Sequence, residues 1–143
     1  MLDGYGLGAN HHILLGLQAD AQLAIGRPEA AFVSVAVGLK AVEKMGGAPL
    51  EAELYRLRGE ALLAGAGAVS EAETAIEQAI DVARRQNAKS WELRGATSLA
   101  RLCRHQGRQQ EAVALLAPIY AWFTEGFDTA DLKEAKALLD ALT

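Results

Sequence analysis

Small residues recur along this chain of 143 residues with a period of 40–41, and this recurrence constrains the fold more than any other feature. One set with this spacing consists of Ala31, Ala72 and Ala112. A second set has the same spacing and precedes the first within each unit: Ala19, Gly59 and Ala100. Small residues at fixed points on two helices let their backbones approach closely, as in a repeated helix-turn-helix unit. The sequence therefore predicts three helix hairpins stacked on one another.

Residue composition favours helices and argues against a β-rich fold. Ala and Leu contribute 29 and 21 residues, whereas Val and Ile together contribute only 12 and aromatic residues make up 6% of the chain. Strands favour β-branched and aromatic residues, so we expect an all-α chain. We predict a flexible segment over residues 1–10 and a single domain over 11–143. Its repeats span about 11–46, 50–87 and 91–124, and a C-terminal capping helix spans 129–142.

Hydrophobic spacing places the paired helices at about 11–25 and 28–44, 50–64 and 71–86, and 91–106 and 108–124. Ser70 with Glu73 predicts a capping box at the fourth helix, and Ser90 predicts a cap for the fifth. Pro118 predicts a kink in the sixth helix. The last helix carries one apolar stripe that should cover the last hairpin, formed by Leu132, Ala135, Leu138, Leu139 and Leu142.

Charge and cysteine usage indicate a chain from a reducing compartment. The net charge of −4 disfavours a dedicated nucleic-acid binder, and a lone Cys103 cannot form an internal disulfide. The N-terminus lacks the pattern of a signal peptide, and the apolar runs are too short to span a bilayer. We therefore expect a cytoplasmic protein without membrane contact.

The hairpin pattern resembles tetratricopeptide repeats, and the turns at 26–31 and 107–112 carry part of that signature. The period here is longer than the family's usual length of about 34 residues, and Leu, Val or Ala mostly replace the aromatic residues of the consensus. The resemblance implies a right-handed α-solenoid.

Three segments show a more specific resemblance: Ala52–Glu60, Leu93–Leu102 and Tyr120–Ala135. They are similar to the repeat region at the C-terminal end of bacterial regulators that combine a class III adenylate or guanylate cyclase domain with a signal-transduction ATPase. The resemblance implies a scaffolding or sensing segment, and since no catalytic or cofactor motif is complete we expect it to be non-catalytic and without a cofactor. Its partner would be a protein, a peptide or neighbouring domains of a larger regulator.

In the tetratricopeptide family, the first helix of each hairpin lines a concave groove that holds a partner peptide. Carried over, this implies a groove with one acidic and one basic end, lined by Asp20, Glu53, Arg56, Glu60, Arg94, Arg101 and Arg104. Helical periodicity also groups Arg94, Arg101, Arg104 and Arg108 on one exposed ridge. Three alternatives remain open: a solvated face with ion pairs such as Glu60–Arg101, a nucleic-acid binder using the ridge, and a small-ligand sensor with Leu23 and Leu63 in the concave face.

No motif of catalysis or metal binding is complete. The glycines at 4–8 lack the strand and the Lys-Ser/Thr of a phosphate-binding loop, and adjacent His11 and His12 point about 100° apart on a helix. We expect these histidines and His105 to face solvent or to lie at a helix start, and Cys103 to be a buried structural thiol. Four aromatic residues form either a core cluster at the last helix or a docking surface: Tyr120, Trp122, Phe123 and Phe127.

The N-terminal end of the first hairpin has no covering helix in this sequence. Ile13, Leu14 and Leu17 lie near that end, and an uncovered apolar face favours association. In a longer regulator an upstream repeat would cover it. For this chain we predict a homodimer joined through the first hairpin.

Overall fold

The computed structural model describes residues 10–143, and every regular element in that range is an α-helix. The helices are α1 His11–Ala24, α2 Pro28–Met45, α3 Glu51–Ala64, α4 Val69–Arg85, α5 Lys89–His105, α6 Gln109–Trp122 and α7 Ala130–Leu142. The all-α expectation is confirmed for this range, and the predicted helix ends agree within two residues. The glycine-rich stretch at 4–8 lies outside the described residues.

The predicted serine caps are wrong. Helix α4 begins at Val69 and α5 at Lys89, so Ser70 and Ser90 lie inside the helices and form no capping hydrogen bond. The backbone supplies the first bonds instead, since the N–H of Ala72 donates to the carbonyl O of Ala68 at 3.1 Å. Helix α6 continues through Pro118 to Trp122.

The turns that follow α2 and α4 have the same backbone conformation at positions one repeat period apart. Gly46 follows α2 with a φ of +78°, and Asn87, which lies one period later, follows α4 with a φ of +54°. Asn is among the non-glycine residues that adopt this left-handed conformation most readily. The chain therefore reverses direction in the same way after α2 and after α4.

Each helix packs on its sequence neighbour, and α1, α3, α5 and α7 also contact one another in succession. These four odd-numbered helices form one layer, while α2, α4 and α6 lie behind it. Each even-numbered helix packs both on the helix before it and on the helix after it. Helix α7 thus continues the odd-numbered layer after α5.

The small residues lie where the helices approach most closely. All six members of the two repeated sets are buried: Ala19, Ala31, Gly59, Ala72, Ala100 and Ala112. A Cβ added to Gly59 would overlap Cγ1 of Ile76 on α4 and lie 3.0 Å from the carbonyl O of Ala72. The predicted close contact between α3 and α4 is therefore present.

Two main hydrophobic clusters hold the helices together. The larger joins α4 to α7 and includes Leu93, Leu116 and Leu132, and the smaller joins α1, α2 and α3 around Val35 and Leu54. The predicted stripe of α7 is confirmed, since Leu132, Ala135, Leu138 and Leu142 are buried and Leu139 packs against them. None of the seven described helices has the length and apolar character needed to cross a bilayer.

His11 and His12 lie at the start of α1, as one alternative of the prediction has it, but His12 does not face solvent. His12 is 4% exposed because it lies on the buried face of α1 with Leu15 and Ala19. Its Nδ1 has no hydrogen-bond partner among the described residues. His11 and His105 are exposed, as expected.

Candidate functional site

The layer of odd-numbered helices carries a polar groove with a volume of about 250 Å³. We call it the charged groove. Helix α1 contributes one lining residue, α3 two, α5 four and α7 two: Asp20, Arg56, Glu60, Arg94, Thr97, Ser98, Arg101, Asp131 and Glu134. Because all four helices contribute, the groove exists only when the whole layer is assembled.

Glu53 anchors the base of the charged groove. Its side chain is 8% exposed and accepts two hydrogen bonds from Arg56, at 2.6 Å from Nε and 3.0 Å from Nη2. Arg94 Nη1 lies 2.8 Å from Glu53 Oε2, and Arg94 Nε lies 3.6 Å from Asp131 Oδ1. One buried carboxylate therefore links α3 to α5, and Arg94 extends the link to α7.

Arg56 stays charged at every ordinary pH. Burial acts to lower its pKa, but the hydrogen bond to Glu53 and the negative charges of Glu53, Glu60 and Asp20 outweigh it, so the pKa is raised. Arg56 Nη1 also donates to Ser98 Oγ at 3.3 Å. The cation at the base of the groove is thus fixed by groups on α3 and α5.

The rim of the charged groove differs from its base in how its charges are paired. Arg101 Nη2 lies 3.0 Å from Glu134 Oε2, and both side chains are largely exposed. Asp20 and Glu60 form no ion pair or hydrogen bond with another side chain of residues 10–143. The rim therefore offers two carboxylates to a bound group, whereas most of the arginine capacity is already used.

The structure brings five of the seven candidate residues together in the charged groove: Asp20, Arg56, Glu60, Arg94 and Arg101. Glu53 lies beneath them, and exposed Arg104 lies outside the groove lining. The expected division into acidic and basic ends is absent, because α7 adds Asp131 and Glu134 beyond the arginines of α5. Arg101 pairs with Glu134 rather than with Glu60.

The continuous arginine ridge is also a wrong expectation. Helix α5 ends at His105 and the chain turns at Gly107 with a φ of +75°, so Arg108 precedes α6 instead of extending α5. There it pairs with Glu111 and Glu73, whose hydrogen bonds raise its pKa. The surface that the nucleic-acid hypothesis needs is therefore divided, and its arginines mostly face carboxylates.

Sequence reasoning missed four lining residues: Thr97, Ser98, Asp131 and Glu134. The repeat period contained the signal for one of them. Glu134 lies one period after Arg94, which lies one period after Glu53, so all three occupy the same repeat position. The shared repeat position of these three residues is not apparent when α7 is considered only as a capping helix.

The remaining sequence candidates lie outside the lining of the charged groove. Cys103 is buried, as expected, and burial raises the pKa of its thiol. Leu63, Val69 and Leu102 line a second cavity that adjoins the charged groove, since Glu60, Ser98 and Arg101 line both. Leu23 packs against the core. No group of His, Cys, Asp or Glu among residues 10–143 is arranged to hold a metal ion.

Of the four aromatic residues near the last helix, two fit a core cluster and two are exposed as a docking surface would require. Tyr120 and Phe123 pack against the larger cluster, whereas Trp122 is 57% and Phe127 46% exposed. Lys89 Nζ lies 5.5 Å from the centre of the Trp122 ring. The core interpretation therefore holds for two of the four residues.

No family model, curated protein or solved structure matches this chain.

Proposed function

We propose that the chain is a non-catalytic protein-interaction module whose charged groove binds a peptide segment of a partner protein. One observation carries this proposal: the rim carboxylates Asp20 and Glu60 are unpaired among the described residues, while the base of the groove is already neutralised by internal pairs. Such a site attracts a cation. The peptide should therefore present a Lys or Arg side chain between α1 and α3.

The geometry of the groove supports a peptide more than a metabolite. Sites for small ligands are mostly apolar with a few polar groups, whereas the side chains that line the charged groove are all polar or charged. The apolar side chains of Leu63, Val69 and Leu102 line only the adjoining cavity. Rigidly packed helices also present their side chains with little ordering cost on binding. An extended peptide can use the exposed rim without having to fill an apolar cavity.

We further propose that the fold is a right-handed solenoid of tetratricopeptide-like repeats from a bacterial signalling regulator. The repeated small residues and the equivalent turns at Gly46 and Asn87 support this proposal. In such a regulator the module would link a cyclase or ATPase domain to its partner without chemistry of its own, in the cytoplasm.

A selection from a random displayed peptide library on the immobilised chain tests the groove proposal. Selected peptides should be enriched in Lys and Arg and should bind in fluorescence anisotropy. Combining Asp20→Asn with Glu60→Gln should weaken binding about tenfold or more, because hydrogen bonds to charged groups contribute roughly 1.5–3 kcal/mol. Higher salt should weaken binding in the same direction.

The control removes two negative charges elsewhere. Glu71 and Asp128 are exposed and lie outside the groove lining, so Glu71→Gln with Asp128→Asn should leave peptide affinity unchanged. Arg104→Gln should also be neutral. Selected peptides without basic residues, or equal losses in both double variants, would contradict the proposal. Stabilisation by a small charged metabolite that competes with the peptide would favour the sensor alternative.

A further inference from the structure

A cavity of about 510 Å³ continues the charged groove between the C-terminal ends of α3 and α5. Three residues of the groove line both spaces: Glu60, Ser98 and Arg101. We call the second space the apolar cavity, because four apolar residues contribute to its lining: Leu63, Ala64, Val69 and Leu102. A ligand that extends along the charged groove past Glu60 therefore reaches apolar side chains.

Comparison of the repeats shows that this junction between hairpins is open. Pro28 and Val69 begin α2 and α4, one period apart. At the first junction, a Cβ added to Gly65 would lie 3.6 Å from Cβ of Pro28, so the two turns lie close together. At the second junction, the equivalent residues Val69 and Gln106 line the apolar cavity instead. The second junction thus leaves a space where the first is filled.

Val69 provides exposed apolar surface at this cavity, since it is 46% exposed. It follows a turn of four residues, 65–68, which are all Gly or Ala, whereas the turns after α1 and α5 have three residues each. The turn before Val69 therefore has no large side chain that could cover it. Exposed apolar surface next to a polar groove is typical of an interaction site.

We propose, as a step that rests on the function proposed above, that the apolar cavity holds an aliphatic side chain of the peptide whose Lys or Arg binds Asp20 and Glu60. Glu60 and Leu63 are three residues apart on α3, which separates their Cβ atoms by about 5–6 Å on one face. In an extended peptide, residues two apart point to the same side at about 6–7 Å. The recognised motif is therefore a basic and an aliphatic residue with one residue between them.

The charges around the apolar cavity favour an aliphatic residue over an acidic one. An acidic side chain would approach the unpaired carboxylate of Glu60, while Arg101, which lines both spaces, is already paired with Glu134 at 3.0 Å. An aliphatic side chain avoids this repulsion and covers the exposed part of Val69. The basic residue of the same peptide neutralises Glu60 from the groove side.

The peptides selected from the displayed library test this motif on the native chain. Leu, Ile, Val or Met should be enriched two positions from the enriched Lys or Arg. Replacing that aliphatic residue by Ala in a selected peptide should weaken binding about tenfold, because its burial in the cavity is lost. Fluorescence anisotropy with the labelled parent and Ala peptides measures the change.

Val69→Asn makes the cavity more polar without changing the charge of the chain. It should weaken binding of the parent peptide about fivefold and leave binding of the Ala peptide unchanged, since the lost contact needs both side chains. Val33→Asn is the matched control. Val33 is 61% exposed on α2 and lines neither the groove nor the cavity, so both affinities should stay the same.

Selected peptides that are rich in Lys and Arg but lack an aliphatic residue at this spacing would overturn the cavity proposal and leave the groove proposal standing. An Ala peptide that binds the native chain as tightly as its parent would also overturn it, and this measurement does not depend on a variant that folds. Equal losses of both peptides on Val69→Asn would overturn it as well. Aliphatic residues selected without basic ones would contradict the groove proposal itself, and the motif with it.

Discussion

At the scale of single residues, burial decides which ion pairs contribute to stability. Glu53 and Glu134 occupy the same repeat position, and each faces an arginine of α5. The Glu53 side chain is 8% exposed, whereas that of Glu134 is 61% exposed. The two positions therefore provide a matched test of burial.

Glu53→Gln should lower the free energy of unfolding by about 3–5 kcal/mol, because it leaves the largely buried cation of Arg56 without its counter-charge. Glu134→Gln should change it by less than about 1 kcal/mol, since exposed pairs are screened by solvent. Urea denaturation of both variants measures the difference. Equally small losses would indicate that Arg56 is solvated in the folded chain.

Ala100→Leu tests the close packing of the repeat. Ala100 is fully buried, and the larger side chain should lower the free energy of unfolding by about 1–3 kcal/mol through overpacking. Ala114 is exposed on α6, so Ala114→Leu should stay within about 0.5 kcal/mol of the native value. If the Ala100→Leu variant unfolded at the same urea concentration as the native chain, the repeat alignment would be contradicted.

Cys103 should be unreactive in the folded chain, because burial shields the thiol and raises its pKa above the ordinary 9.0. Its modification by a thiol reagent at pH 8 should be slow in buffer and fast in denaturant. The folded state disfavours the thiolate. The contribution of the Cys103 thiol to the free energy of unfolding is therefore fully present below pH 9. It declines as the pH rises through the pKa of the thiol in the folded chain. Rapid native labelling would contradict the predicted burial.

At the scale of helices, α7 has two roles that the sequence alone did not separate. Its buried stripe covers α5 and α6, and its acidic residues Asp131 and Glu134 complete the charged groove. A helix at the end of a repeat array normally protects the last apolar face. In this chain the same helix also shapes the candidate site.

Deleting residues 129–143 should expose Leu116 and Ile119 on α6 and cause aggregation, measured by light scattering. Lys136 pairs with Asp140 on the exposed side of α7, so Lys136→Gln in the full chain should leave the scattering unchanged. A truncated chain that stays monomeric and equally stable would show that α7 does not protect this core.

At the scale of the whole molecule, the two ends of the helix layer differ in how well they are covered. The larger hydrophobic cluster has fifteen buried residues reaching from α4 to α7, whereas the smaller one near α1 has eight. Local opening is easiest where few apolar contacts must be broken. We therefore expect stability to increase from α1 towards α5 and α6.

Amide hydrogen exchange of the native chain measures this gradient. Amides of α1 should exchange fastest among the seven helices, and those of α5 should exchange slowest. Equal protection of all helices would indicate a single cooperative unit. It would contradict the expected gradient.

Most of the fold could be predicted from the sequence because its signals are local. Helix type follows from the abundance of Ala and Leu, and the recurrence of residues such as Gly59 and Ala100 indicated the helix order and the close contacts. Capping could not be predicted, since Ser70 and Ser90 are good cap residues that the backbone placed inside helices.

Only the tertiary structure decided how the charges are paired. Helical periodicity places Arg94 and Arg101 on one face of α5, but it does not specify which carboxylates of α3 and α7 lie across from them. Packing brings Glu53 and Glu134, which lie two periods apart in the sequence, to the same arginine helix. It also buries Glu53 while leaving Asp20 at the rim. The sequence therefore determined the helices and their order, whereas long-range packing determined the candidate site, because distance and burial in three dimensions control the strength of a charge interaction.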